Sequence, residues 1–474
     1  MQQFDMVIDG KKTTTGQTLD VVNPATGKAF AQVAVGDAGT VDDAVVAARA
    51  AFPAWSKTSD QERKDLCHKL AAALEANMPE LMQLLTQETG KPMGGLDGVG
   101  SGMEVGGAIG WTQYTAELQL AVDVVQDDDD MLVEVHRKPL GVVASITPWN
   151  WPLLIAIWHV IPALRTGNTV VIKPSEFSPI ATTRFVELAN EVLPAGVLNI
   201  VNGSGDVGAA LTSHADVNKI VFTGSTTTGK RIMQSASATL KRLTLELGGN
   251  DAGIVLPDAN IKDIAEKLFA ACFHNNGQTC TALKRLYVHE SQYEEACAAM
   301  GEMARTAKVG NGLEEGVELG PVQNASQLKI VCDLADSARA EGGRFIAGGN
   351  RIEGEGYFFE PTIVADLTDG NRLVDEEPFG PIVPIIKYSD VDEVINRANQ
   401  NVQGLGGSIW SNDLEKASAL ALRLECGSVW INDHCSIQPN MPFGGIKQSG
   451  FGVEFGLYGL EEYTSIQTVK MLKR

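Results

Sequence analysis

The chain has 474 residues, of which 44% are hydrophobic, 20% charged and 6% aromatic, and its formal net charge is −21. This length predicts roughly three domains with large buried cores. The acidic balance disfavours nucleic-acid and anionic-lipid partners, because both repel a negative surface.

Features of membrane, secreted and metal-binding proteins are missing from the sequence. No window approaches the ~18 uninterrupted apolar residues of a membrane helix, and the N-terminus lacks the order of a signal peptide. The seven cysteines are an odd number without a CxxC pair, which indicates neither a disulfide framework nor a zinc knuckle. We therefore expect a cytoplasmic protein with no metal site, no membrane partner and no nucleic-acid partner.

The first 140 residues predict helices followed by a hairpin. Apolar residues recur at three- and four-residue steps in residues 41–55 and 61–90, which predicts amphipathic helices that cover a sheet. Residues 117–140 predict two strands around a turn of four aspartates, Asp127 to Asp130. A solvated turn is favoured over a cation site, because four adjacent carboxylates cannot all face one ion. Residues 463–474 predict another strand, and such projecting edges favour an oligomer.

Two successive α/β alternations follow. Between residues 142 and 250, runs rich in Val, Ile and Leu alternate with helical stretches. Nearly continuous apolar strands with long connections predict a parallel sheet covered on both faces. Ligands are then expected at the carboxyl ends of its strands. A second alternation after Glu246 predicts a second α/β domain.

Two glycine patterns resemble nucleotide-binding loops incompletely. GSGDVG, residues 203–208, lacks the acidic residue expected about 20 positions later, so it is either a phosphate cradle or a tight strand-to-helix turn. GSTTTGK, residues 224–230, is followed by Arg231 where a triphosphate loop requires Ser or Thr. Gly224 and Ser225 nevertheless end a strand and open a helix, which predicts an anion-binding set of N–H groups.

Glu246 and Cys280 are the candidate reactive groups. Strand alternation places the Glu246 side chain opposite Leu245 and Leu247, as either a general base or a member of a structural ion pair. Cys280 follows the polar turn FHNNGQT, whereas Cys272 and Cys297 lie in apolar helical patterns. A loop can present a nucleophile, although a packed thiol remains the alternative.

Eight segments occur in a characteristic order: NPATGK (23–28), TPWNWP (147–152), KPSE (173–176), FTGSTTTG (222–229), ELGGN (246–250), NNGQTC (275–280), EEPFGP (376–381) and PFGGIKQSGFG (442–452). Because it contains these motifs in this order, the sequence resembles the NAD(P)-dependent aldehyde dehydrogenase superfamily over essentially its whole length. The spacing between Glu246 and Cys280 is also the one usual in that family.

The resemblance implies the catalytic groups. Cys280 is the nucleophile, and the Asn150 amide and the Cys280 backbone N–H are the oxyanion donors. Glu246 activates the water that hydrolyses a Cys280 thioester, which implies a carboxylic acid product. Glu454 resembles a second family glutamate that assists proton handling, with a structural role equally open. A non-redox thiol hydrolase or acyltransferase and a non-enzymatic scaffold are the rival hypotheses.

The resemblance also implies a cofactor site. Its residues are Lys173, Glu176, Gly205, Gly224, Ser225, Gly248, Glu377, Phe379 and Trp149. Lys173 and Glu176 are implied to bind the adenosine ribose. A carboxylate there accepts hydrogen bonds from a ribose diol and repels a 2′-phosphate, so NAD is predicted, with NADP as the alternative.

The residues implied to line the substrate channel are Trp151, Leu154, Trp158, Thr279, Thr281, Ile437 and Phe443. The succinate-semialdehyde branch has arginines where this chain has Trp158 and His274. A substrate carboxylate would therefore be buried unpaired, so an apolar aromatic or medium-chain aldehyde is predicted, with a semialdehyde as the alternative. Whether the tryptophans are only core, and whether His274 contacts substrate, is left open by the sequence.

The resemblance implies a three-part organisation. It combines a Rossmann-like parallel-sheet cofactor domain (1–116 and 141–248), a second α/β catalytic domain (249–448) and a small β oligomerisation element (117–140 and 449–474). The expected assembly is a homodimer or homotetramer.

Overall fold

The computed structural model describes residues 1–473 and contains two large sheets flanked by helices. In spatial order, the strands of the first sheet are Gly450–Phe451, Arg242–Glu246, Lys219–Thr223, Val142–Ile146, Thr169–Lys173, Leu198–Ile200, Met6–Ile8 and Lys11–Thr13. The five strands from Arg242–Glu246 to Leu198–Ile200 run parallel. Buried Val, Ile and Leu dominate them, as expected for a sheet covered on both faces.

Eight helices accompany the first sheet: Ala38–Trp55, Asp60–Ala76, Met78–Thr89, Ser101–Glu117, Pro152–Arg165, Ile180–Asn190, Gly205–Ser213 and Thr226–Ala236. The periodic stretch 61–90 is divided between two of them at Asn77. Pro79 explains the break, because proline has no backbone N–H to donate to the carbonyl four residues earlier and its ring clashes with that carbonyl.

The second large sheet contains seven strands. In spatial order its strands are Arg344–Ala347, Thr362–Ala365, Ile382–Tyr388, Leu283–His289, Asp251–Val255, Gly406–Trp410 and Ser428–Ile431. All neighbours are parallel except the pair of Arg344–Ala347 with Thr362–Ala365. Its helices are Ile261–Cys272, Tyr293–Thr306, Ala325–Ala340, Arg372–Asp375, Val391–Asn399 and Leu414–Ala421. The predicted α/β fold class is confirmed.

A three-stranded antiparallel sheet contains Asp123–Asp127, Met131–Pro139 and Thr464–Leu472. The ammonium group of Lys473 contacts the carboxylate of Asp127 beside the aspartate turn. Arg474, the last residue of the predicted strand 463–474, lies outside the described residues.

Parts of the fold were not anticipated from the sequence. Short strands Gln2–Phe4, Thr18–Asn23 and Lys28–Ala34 form a sheet at the N-terminus, and their mixed polar composition gave no clear alternation. The helix Gly456–Glu461 and the short pair Gln403–Gly404 with Ile446–Lys447 complete the C-terminal region.

Between residues 1 and 473, no helix combines the length and hydrophobicity that a membrane crossing requires. All seven cysteines are free thiols.

Candidate active site

The loop that carries Cys280 begins where helix Ile261–Cys272 ends. Asn275, Asn276 and Gly277 follow with φ angles of 50°, 58° and 73°, so the chain turns sharply through the left-handed region. A Cβ atom at Gly277 would lie 2.2 Å from the Gly380 carbonyl oxygen, so only glycine fits there. This turn directs residues 278–280 back between the two large sheets.

Cys280 lies where two cavities meet. One, of about 250 Å³, is lined by the strand-end residues of the first sheet, and the other, of about 350 Å³, is mainly aromatic. Cys280 and Ile155 line both. A group bound in either cavity therefore has access to this thiol.

Burial controls the ionisation of Cys280. It raises the pKa of the thiol well above its ordinary value, while the nearby Lys284 ammonium opposes this rise. Lys284 donates to the Gly249 carbonyl at 2.7 Å and forms an ion pair with Glu377 at 3.1 Å. The thiol therefore needs a proton acceptor before it can attack a carbonyl group.

Asn150 is buried against the same loop. Its Nδ2 donates to the Gln278 carbonyl at 2.9 Å, and its own backbone carbonyl accepts from Asn275 Nδ2 at 3.2 Å. Asn150 and Cys280 both line the 250 Å³ cavity. An amide donor and a thiol are thus available to one bound carbonyl group.

Glu246 ends strand Arg242–Glu246 in register with Thr223 and is 3% exposed. Neither of its carboxylate oxygens has a hydrogen-bond partner among residues 1–473. Burial, and secondarily the charge of Glu454, raise the pKa of Glu246 well above its ordinary value. Glu246 is not part of the lining of either cavity, although Leu247 and Gly248 line the smaller one.

Glu454 is buried close to this carboxylate. His159 Nε2 lies 3.3 Å from Glu454 Oε1 and 3.1 Å from Thr223 Oγ1, and its Nδ1 lies 3.0 Å from Ser145 Oγ. These contacts place the His159 imidazole between Glu454 and the strand residues Thr223 and Ser145.

Six of the nine predicted cofactor residues line the 250 Å³ cavity: Trp149, Gly224, Ser225, Gly248, Glu377 and Phe379. Ser225 caps helix Thr226–Ala236, whose free N–H groups favour an anion. A Cβ atom at Gly248 would lie 2.3 Å from Glu377 Oε2, so any larger residue there would displace the Glu377 side chain. The Trp149 and Phe379 rings meet edge to face at 5.2 Å.

The other three predicted cofactor residues lie outside that lining. Lys173 ends strand Thr169–Lys173 and forms an ion pair with Glu176 at 3.5 Å. Gly205 begins helix Gly205–Ser213, and a Cβ atom at Gly208 in that helix would lie 3.8 Å from the Lys173 side chain. Lys173, Glu176 and helix Gly205–Ser213 therefore form a second cluster, outside that lining.

All seven predicted substrate residues line the 350 Å³ cavity together with Cys280. The cavity is also lined by residues that no sequence pattern indicated, of which Met103, Trp111, Cys435 and Ser436 are examples. Trp111 lies in helix Ser101–Glu117, for which no family motif was recognised. Its ring lies 5.7 Å from that of Trp158, so the cavity wall is more aromatic than predicted.

His274 lines the same cavity as a neutral side chain. Its Nδ1 lies 3.1 Å from Thr279 Oγ1, which also accepts from Trp151 Nε1 at 3.0 Å. Burial, and then the charge of Lys91, lower the pKa of His274 to about 4. The described lining contains neither lysine nor arginine, so it offers no cation at neutral pH.

The family of this chain is identified by its similarity to known proteins. A model of the aldehyde dehydrogenase family matches residues 11–469. The chain belongs to the aldehyde dehydrogenase family. Phenylacetaldehyde dehydrogenase of Pseudomonas fluorescens is 40% identical, over 98% of this chain and 95% of that protein. Retinaldehyde dehydrogenase 3 of Mus musculus is 40% identical, over 97% of this chain and 91% of that protein.

Solved structures agree with this assignment. The NAD⁺ complex of an aldehyde dehydrogenase from Bacillus cereus superimposes with a TM-score of 0.97 at 36% identity, covering 100% of this chain and 97% of that one. The glycine cradle at Gly248 and the helix N-terminus at Ser225 fit a dinucleotide, since both allow close approach of backbone to a phosphate or ring. This aldehyde dehydrogenase is therefore an NAD(P)-dependent enzyme.

Proposed function

We propose that this enzyme oxidises an apolar aromatic or medium-chain aldehyde to its carboxylic acid through a covalent intermediate on Cys280. The observation that carries the proposal is that Cys280 lines both the aromatic cavity and the cavity of the predicted nicotinamide residues. A substrate carbonyl and a hydride acceptor can therefore meet at one sulfur atom.

The first half of the reaction forms a thiohemiacetal. The Cys280 thiolate attacks the aldehyde carbon, and the carbonyl oxygen becomes an oxyanion that the Asn150 amide and the Cys280 backbone N–H stabilise. Because burial raises the pKa of the thiol, its proton has to leave to a base as attack proceeds. Bound NAD(P) supplies the hydride acceptor, and loss of hydride leaves a Cys280 thioester.

The second half hydrolyses that thioester. Glu246 takes a proton from water, which attacks the acyl carbon and releases the acid while sulfur leaves as thiolate. Its raised pKa suits this role, because a carboxylate with a higher pKa is a stronger base once it has lost its proton. Glu246 does not line either cavity, so its side chain has to rotate towards Cys280 for this step.

NAD is the proposed cofactor, with NADP as the weaker alternative. Glu176 is a carboxylate beside Lys173 at the cluster assigned to the adenosine ribose. A 2′-phosphate brought to this position would face that negative charge, whereas a ribose diol would donate hydrogen bonds to it. Trp149, Glu377 and Phe379 are proposed to hold the nicotinamide end.

The aromatic cavity supports the substrate class. Its tryptophan and phenylalanine walls favour burial of an apolar group. Neutral His274 and the absence of lysine and arginine from the described lining disfavour an anionic substrate, whose carboxylate would lose its hydration without compensation. Relatives whose names specify phenylacetaldehyde and retinaldehyde are consistent with this choice.

A substrate panel tests the proposal. Absorbance at 340 nm is followed with NAD and benzaldehyde, hexanal or succinic semialdehyde. We expect kcat/KM to be highest for benzaldehyde or hexanal, and preference for succinic semialdehyde would overturn the substrate class.

Cys280→Ser should abolish turnover, whereas Cys297→Ser, at a buried helical thiol, should retain it. Acyl-ester hydrolysis without aldehyde oxidation would instead favour the thiol hydrolase.

The organisation of the chain remains part of the proposal. We assign 1–116 and 141–248 to the cofactor domain, 249–448 to the catalytic domain, and 117–140 with 449–474 to oligomerisation. Strand Asp123–Asp127 is exposed along its whole length, which supports the proposed assembly of two or four copies. Light scattering after size-exclusion chromatography measures the assembly directly.

A further inference from the structure

A buried ion pair lies directly behind the turn that carries Asn150. The ammonium group of Lys91 contacts the carboxylate of Glu104, and their side chains are 1% and 0% exposed. Burying two charges costs solvation free energy that the pair itself seldom recovers in full. This cost, together with the contact of Lys91 with the Asn150 carbonyl, points to a role beyond stabilising the fold.

Lys91 holds the backbone of the Asn150 turn. Its Nζ donates to the Asn150 carbonyl at 2.9 Å, the same oxygen that accepts from Asn275 Nδ2 at 3.2 Å. Nζ also lies 3.4 Å from the centre of the Trp151 ring, within cation–π range. One ammonium group therefore contacts both residues immediately before helix Pro152–Arg165.

Glu104 holds the helix that follows this turn. Its Oε1 accepts from the backbone N–H groups of Leu153 and Leu154 at 3.0 and 3.2 Å. These are first-turn N–H groups of helix Pro152–Arg165, which have no partner within the helix. A carboxylate there also interacts favourably with the positive end of the helix dipole.

The contacts form one continuous support for the reactive loop. Glu104 fixes the helix start, Lys91 joins Glu104 to the Asn150 carbonyl, and the Asn150 amide donates to Gln278, two residues before Cys280. Trp151 adds a second link through its 3.0 Å hydrogen bond to Thr279.

We propose that Lys91, anchored by Glu104, is a positioning residue that aims the Asn150 amide at the developing oxyanion. The inference rests on the proposed function, in which Asn150 is an oxyanion donor. Lys91 contacts Asn150 and Trp151 but does not itself line either of the two cavities, so it acts through Asn150 rather than on substrate. Small errors in the position of a catalytic group are costly, with ~10²-fold loss of rate for about 1 Å.

A double-mutant cycle on the full-length enzyme tests this. The single-turnover rate of NADH formation with benzaldehyde is measured for wild type, Lys91→Met, Asn150→Ala and the double variant. We expect Lys91→Met to lower the rate by about 10²-fold. In the Asn150→Ala background the same change should lower it by less than about threefold, because the amide that Lys91 aims is already gone. Equal losses in both backgrounds would overturn the inference.

Two further variants separate positioning from folding. Lys91→Met/Glu104→Gln removes both charges, and the Gln oxygen still caps Leu153 and Leu154, so it avoids an unpaired buried carboxylate. It should show the same rate loss with an unchanged Kd for NAD, and a wild-type rate would overturn the inference. Lys241→Met is the matched control, since Lys241 is also buried and donates to the His214 and Val217 carbonyls. It should retain the wild-type rate.

The outcomes distinguish failure of the oxyanion role of Asn150 from failure of the positioning role of Lys91. If Asn150→Ala keeps the wild-type rate, the proposed oxyanion role fails, and with it the role of Lys91. If Asn150→Ala is slow and the Lys91 variants are not, only the positioning inference fails.

Discussion

The side-chain amide of Asn150 donates a 2.9 Å hydrogen bond to the carbonyl of Gln278, so the turn after strand Val142–Ile146 is tied to the loop of Cys280. Residues 128 positions apart in the chain thus share one site. This hydrogen bond links the proposed oxyanion donor to the loop of the proposed nucleophile.

Asn150→Ala should lower the rate of NADH formation by about 10²–10³-fold, the usual cost of removing one oxyanion donor. KM for the aldehyde should change much less, because the donor matters most when charge develops on oxygen. Stopped-flow absorbance at 340 nm measures the rate. Asn190→Ala is the control, since Asn190 also donates to backbone carbonyls, at 2.9 and 3.1 Å, but ends helix Ile180–Asn190 and lines neither cavity. Comparable losses for both variants would argue against a specific role for Asn150.

Glu246→Gln should separate the two halves of the reaction. The amide has nearly the same shape as the carboxylate but cannot accept the proton of the hydrolytic water. We expect a burst of NADH close to one per active site, followed by turnover slowed at least about 10²-fold. Mass spectrometry should detect the acyl group on Cys280. Steady turnover without an accumulated acyl-enzyme would exclude Glu246 as the base of this step.

Glu454→Gln should shift the pH dependence of hydrolysis. Glu246 has to be ionised to act, and burial and the Glu454 charge both raise its pKa, so turnover rises with pH as Glu246 loses its proton. Removing the Glu454 charge lowers the Glu246 pKa, and the rising limb of the kcat profile should move to lower pH. A profile that stays in place or moves upward would contradict this coupling.

Glu176→Gln should weaken discrimination against NADP. The substitution keeps a hydrogen-bonding oxygen for the ribose and removes the negative charge that faces a 2′-phosphate. We expect the ratio of kcat/KM for NADP to that for NAD to rise about tenfold, because like charges brought together at a binding site are strongly unfavourable. The ratio is measured at fixed ionic strength, since Glu176 is partly exposed and salt screens its charge. An unchanged ratio would remove Glu176 as the discriminator.

Trp158→Arg should change the preferred substrate. It removes an apolar wall of the 350 Å³ cavity and introduces a cation that can pair with a carboxylate. We expect kcat/KM for benzaldehyde to fall at least about tenfold, with the loss of an aromatic contact, and that for succinic semialdehyde to rise. Trp158→Phe keeps an aromatic wall and should retain the wild-type preference.

Local patterns in the sequence determined the α/β class, the strands that precede Gly224 and contain Glu246, and the loop character of Cys280. Periodicity reports which residues are buried along one element, and the ordered motifs identified the family. Neither reports how elements pack, so the residue types alone left Glu246 open as a base or an ion-pair member and His274 open as a contact or a loop residue.

Only the tertiary structure decided which side chains meet. It brought Trp111 to the substrate cavity, placed Glu454 beside Glu246, and joined Lys91 and Glu104 behind Asn150. These partners come from separate segments of the chain, and each has an ordinary local sequence. The physical reason is that desolvation and charge coupling depend on three-dimensional distance, and the distance between remote residues is set by the packing of the sheets and helices rather than by their spacing in the chain.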